Sequence, residues 1–176
     1  MLEEIAYSNL AGELVVLPKL WMQADPDFVH AHAWWQGGYG LCWKYKGQQI
    51  QLFAGIPLSA FPTPMGDGVL IIDAPGMDAP DNAAIYNADG SLRFRLKAPK
   101  PLSRHWPGYV HTPEQIEKRP PEGFWQVGWG CGDGITDFSR PWMWANIGLH
   151  CDVYERRYFD PKTGEFDLEH YSTARR

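Results

Sequence analysis

Cysteine is scarce and poorly spaced for chemistry. Cys42, Cys131 and Cys151 are the only three in 176 residues, with no C-x-x-C among them. That argues against a zinc ribbon or a disulfide framework and fits reduced thiols, so a cytoplasmic location is expected. Long apolar runs are missing too. The most continuous aliphatic stretch runs from Val69 to Ile72, far short of the roughly 20 residues a membrane helix needs. The first charges are Glu3 and Glu4, with no basic segment before an apolar run, so no secretory signal is expected. A basic surplus is also absent: 16 Lys and Arg face 21 Asp and Glu, a net charge of −5. General nucleic-acid binding is disfavoured by that sign, and no membrane partner is expected.

Glycine (18), proline (15) and tryptophan (9) are what the chain has in plenty. That usage predicts short elements joined by many turns, and the length suits one domain, taken as 1–176. Strand signals dominate. Leu41, Trp43 and Tyr45 alternate with Cys42, Lys44 and Lys46, and after Gly47 the alternation resumes at Ile50 and Leu52. Period two of this kind, broken by a turn residue, predicts a hairpin with one buried and one wetter face. Val69 to Ile72 predicts a strand covered on both sides. Asn87-Ala88-Asp89-Gly90 supplies turn chemistry ahead of a strand whose Leu92, Phe94 and Leu96 share one face, expected inward, opposite Arg93 and Arg95. A last hairpin is expected around Asp160-Pro161-Lys162-Thr163-Gly164, with Phe166 and Leu168 alternating against Glu165, Asp167 and Glu169. The sum is a mainly β, single-domain twisted antiparallel meander, a sandwich or partly open barrel, with one or two short helices.

Two segments carry helix signals. One starts at Asp25-Pro26 and stops at Gly37-Gly38; the other starts at the capping box Thr112-Pro113-Glu114-Gln115 and ends at Pro120-Pro121. The first helix disposes of a metal reading for His30 and His32, because helical residues two apart point to opposite sides. No metal and no cofactor are expected. The run Gly128-Trp129-Gly130-Cys131-Gly132-Asp133-Gly134 leaves alternate positions bare. Close packing of a ring such as Trp125 on that strip is one explanation. A ligand-accessible loop is the other, with Cys131 as a nucleophile and His150 or His111 as base. No motif supplies that pairing, so the expectation leans against an enzyme. The tryptophans are expected mainly in the core, with a sugar-stacking platform as the alternative.

Charge is segregated. Residues 61–90 hold Asp67, Asp73, Asp78, Asp81 and Asp89 and no base; residues 91–113 hold Arg93, Arg95, Lys97, Lys100 and Arg104 and no acid. Asp in turns and Arg on a wet strand face would produce this by themselves. Adjoining patches of opposite sign also suit a partner surface. The segment Tyr86-Asn87-Ala88-Asp89-Gly90-Ser91-Leu92-Arg93-Phe94 resembles one found in uncharacterised bacterial β-rich proteins of the toxin-immunity kind. The resemblance implies a protein partner, a toxin, and no catalytic residue. The function expected is therefore a non-catalytic protein-binding module, an immunity protein that covers a toxin's surface, with Asp78, Asp81, Arg93, Arg95, Trp129 and Asp133 as contact residues. A carbohydrate or small-ligand binder using exposed Trp, and a hydrolase built on Cys131, are the alternatives.

Overall fold

A computed structural model describes residues 2–8, 14–16, 40–53, 58–73, 80–103, 114, 118, 121–150 and 153–175. Among them are twelve strands: β1 (Glu3–Ser8), β2 (Leu14–Val16), β3 (Gly40–Tyr45), β4 (Gln48–Phe53), β5 (Leu58–Pro62), β6 (Gly68–Asp73), β7 (Ala83–Asn87), β8 (Leu92–Leu96), β9 (Gly123–Trp129), β10 (Met143–His150), β11 (Val153–Phe159) and β12 (Phe166–Arg175). They form three four-stranded sheets, ordered β2-β1-β3-β4, β5-β6-β7-β8 and β12-β11-β10-β9. The mainly β antiparallel expectation holds, and no sheet among the described residues closes into a barrel. The helix expected from Asp25 to Gln36, with His30 and His32, lies outside the described residues. In the second expected helix, Glu114 and Lys118 are described and are helical.

The chain divides into two compact units. The first comprises Met1–Ala74 and Ala84–Phe94, the second Pro75–Ala83 and Arg95–Arg176. In the first unit, β3 and β4 make the expected hairpin, and Lys46 and Gly47 both have positive φ (51° and 77°), the turn that matches strand twist. Leu41 and Trp43 are buried with Leu2, Ile5, Ala60, Val69, Ile71 and Ala88. Cys42 is buried as well, contrary to its expected wetter face, and burial pushes its thiol pKa up. Strand β6 is buried from Gly68 to Ile72, as its aliphatic run predicts. The Trp43 indole N–H donates to the Ala88 carbonyl at 2.7 Å, so the most voluminous fully buried side chain among the described residues is pinned to the β7–β8 turn. That turn needs Gly90 twice over: φ is +87°, and a Cβ would come within 2.6 Å of Ile50.

One expectation about facing fails here. Leu92 is 49% exposed and Phe94 half-buried; of the three apolar residues on that face, only Leu96 is buried. Arg93 is the better-covered neighbour, with its side chain 16% exposed. Its Nε donates to Asn87 Oδ1 at 2.7 Å, and its Nη2 donates to the Asp67 carbonyl and carboxylate at 3.0 and 3.1 Å. Period two assigns residues to a face, but what packs on that face decides burial.

The second unit contains the meander β9-β10-β11-β12. One face carries Phe124, Met143, Ala145, Ile147 and Phe159, all essentially inaccessible. Phe166 stacks on Phe124 and lies tilted against Phe159, with ring centroids 6.3 and 5.3 Å away. Asn82 ties the unit's shorter segment to β9: its amide donates to the Phe124 carbonyl at 3.0 Å and accepts from the Phe124 N–H at 2.7 Å.

Glu155 and Arg157 follow the inward period of β11 and are both 1% exposed. Their ion pair is 3.2 Å. Glu155 also accepts from the backbone N–H groups of Leu102 and Ser103. Arg157 donates to the carbonyls of Lys100 (3.0 Å) and Asp167 (2.6 Å). A buried charge pair is tolerated only when the remaining polar atoms also find partners, and these backbone groups supply most of them.

The alternation expected of Phe166 and Leu168 is interrupted: Leu168 is 77% exposed. Along β11–β12, Arg157 pairs with Tyr171 and Phe159 with Phe166, so Tyr158 alone faces the four residues 167–170. The result is a large bulge, and Leu168 sits on it.

Candidate functional site

The outward features of the second unit start from glycine. A Cβ on Gly128 would strike the Trp144 ring, and one on Gly148 would strike Trp125. Of the glycine run, Gly128 and Gly132 lie under the Trp144 and Tyr158 rings, as close packing expects, but Gly130 faces open space and Trp125 lies over Gly148, outside the run. The Arg156 guanidinium covers the Trp144 ring at 4.0 Å. Arg156 Nε donates to Asn146 Oδ1 at 3.0 Å, and Asn146 Nδ2 donates to Gln126 Oε1 at 2.9 Å. These partners fall opposite one another on β9, β10 and β11, so one sheet face carries a stacked Trp–Arg pair and a polar chain.

Residues 130–142 leave this sheet and return to it. Gly130 N–H donates to the Trp142 carbonyl at 3.0 Å, closing the loop. Ile135 and Trp142 are buried beside Tyr158, with Cys131 packed against them. A Cβ on Gly132 would come within 2.5 Å of the Tyr158 ring. At the outer end, Asp137 accepts from the backbone N–H and hydroxyl of Ser139, and the Trp142 indole donates to the Asp137 carbonyl at 2.6 Å. Those Ser139 bonds hold the Asp137 carboxyl below the usual carboxylate range. The turn so built presents Phe138 at 76% exposure.

Arg140 fastens this turn to the β11–β12 turn, at 3.4 Å from both Asp137 and Glu165. His170 approaches from β12, where a Cβ on Gly134 would lie 2.7 Å from its ring. Asp167 organises the bulge by accepting from the N–H groups of Glu169 (3.0 Å) and His170 (2.6 Å), with the His170 ring nitrogen at 2.9 Å. Burial would raise the Asp167 carboxyl, but the two backbone N–H groups and the imidazole together hold it low.

The contact residues expected from sequence are scattered. Asp78 lies outside the described residues. Asp81 is exposed in the turn before β7, its carboxylate 3.4 Å from the Ala98 N–H. Arg93 is engaged with Asp67 and Asn87 in the first unit, and Arg95 is exposed on β8. Trp129, half-buried at the end of β9, and Asp133, exposed in the loop, belong to the region just described. Two of the segregated charges, Asp67 and Arg93, pair with each other, and Asp89 caps its own turn through Ser91. Sequence reasoning missed Phe138 and Leu168. The flanking Asp137 and Ser139 were the available signal for Phe138. For Leu168 none precedes knowledge of the bulge. Among the described residues, no group of three His, Cys, Asp or Glu is placed to hold a metal ion.

No protein-family model and no curated protein matches the sequence. Among solved structures, the chain is similar to a chain in "Structure of Tne2 in complex with Tni2", with a TM-score of 0.60 and 13% identity, covering 100% of this chain and 99% of that one. At that identity, the likeness shows a shared fold spanning both chains.

Proposed function

We propose that this chain is a non-catalytic protein-binding module, an immunity protein that neutralises a toxin by covering its surface. The observation that carries the reading is the exposure of Phe138, Leu168 and Tyr171 (76, 77 and 43%) on the second unit, each on a stretch fixed by hydrogen bonds or strand pairing. Exposed apolar side chains rimmed by polar residues are what an interaction surface offers a partner. The shared fold supports it further, since the similar protein comes from a two-protein complex. A sugar platform is less favoured, because Trp144 is already covered by Arg156 and Trp125 lies over Gly148. Cys131 packs with Ile135, Trp142 and Tyr158, which gives the hydrolase reading no support.

Co-expression with the product of each neighbouring gene tests the proposal. A stable complex that relieves that product's toxicity is expected. Absence of any complex would overturn it, and a hydrolase activity lost in Cys131→Ala would put the hydrolase reading in its place.

A further inference from the structure

We infer that the β12 edge, from the Asp167–His170 bulge to the Phe138 turn, is the docking surface, and that it takes a basic protein surface offering apolar pockets for Leu168 and Phe138. This rests on the protein-binding reading above and specifies the partner's chemistry. An outer sheet strand ordinarily invites another strand to pair with it. Over residues 167–170 that mode is blocked. The bulge breaks the edge, and the Asp167 carboxylate already takes two of its N–H groups, those of Glu169 and His170. The Asp167 carbonyl is taken by the buried Arg157. What the edge offers is side chains, with Leu168 foremost.

The second anchor, Phe138, is brought to the same end of the strand by two ties. Arg140 bridges its turn to Glu165, three residues before Leu168, and Gly134 lies against His170, two residues after it. Exposed charge around the anchors is mostly acidic: Asp133, Asp137, Glu165 and Glu169, against Arg140 and Lys162. Arg140 is shared between Asp137 and Glu165, so two carboxylates meet one guanidinium there, and Asp133 and Glu169 outnumber Lys162. A basic partner complements that rim, and like charge disfavours a second copy docking symmetrically by the same edge.

The test uses the full chain and the neighbouring-gene product with which it co-purifies. Leu168→Ala and Phe138→Ala should each weaken binding by about 10–30-fold while leaving the melting temperature unchanged, as exposed hot spots do. Glu169→Lys should slow association and flatten its salt dependence. Wild-type affinity in all three variants would overturn the surface but leave the protein-binding reading standing. Failure of the wild-type chain to bind any neighbouring product would overturn both. A concentration-dependent dimer dispersed by Leu168→Ala would replace the basic partner with a second copy of the chain.

Discussion

At the scale of single residues, exposure and hydrogen bonding reverse the order that alternation suggests on β8. Arg93→Ala removes bonds to Asn87 and Asp67 from a mostly covered site. It should cost about 1.5–3 kcal/mol, the range for hydrogen bonds to charged groups. Leu92→Ala, at a half-exposed position, should cost less than about 1 kcal/mol. Urea melts of the two variants check the order. Asp67 adds a pH signature. Burial pushes its carboxyl up, but the Thr63 hydroxyl and the Arg93 guanidinium pull it down further, so it ends below its ordinary 3.8. A carboxyl depressed in the fold contributes stability that is complete above its unfolded pKa and is lost as pH falls through its folded one. Melts between pH 6 and pH 2 should therefore show a smaller acid loss in Asp67→Asn than in the wild type.

At the scale of elements, turns were legible in the sequence and facing was not. Asn87 to Ser91 and Asp160 to Gly164 form the turns their residues predict, because the demands are local: Gly90 and Gly164 have φ of 87° and 77°, and the Asp160 carboxylate accepts from Lys162 N–H. Leu92 was misread and the alternation at Leu168 is interrupted because neighbouring strands and a bulge decide what covers each. Much of the candidate edge depends on that bulge, so it was hidden, although Asp133 beside it was named from the glycine-rich run. Glu155 and Arg157 look like ordinary wet-face charges in sequence, yet they lie in the core and bind the 100–103 segment to β11. Glu155→Ala should cost about 3–5 kcal/mol by stranding the Arg157 charge. Replacing both with apolar residues should recover part of that loss, and a double-mutant cycle by thermal melting would measure the coupling.

At the scale of the molecule, neither unit is one continuous run of chain; the path changes unit after Ala74, Ala83 and Phe94. A fragment of residues 1–74 therefore lacks Tyr86 and Ala88, and with them the carbonyl that takes the Trp43 indole N–H. Such a fragment should stay unfolded, without β-sheet circular dichroism, and adding a peptide of residues 84–94, which supplies those groups and completes the unit, should restore part of that signal. The link from Glu155 to the Leu102 and Ser103 amides has a consequence for how the protein is made. Leu102 and its carboxylate partner are 53 positions apart, so a ribosome adding about 5–20 residues per second takes about 3–10 s to deliver that partner. For at least that interval the 100–103 segment is without its anchor and, once clear of the ribosome, is open to chaperones or proteases. Slowing translation between codons 103 and 155 would lengthen that exposure without changing a single amino acid.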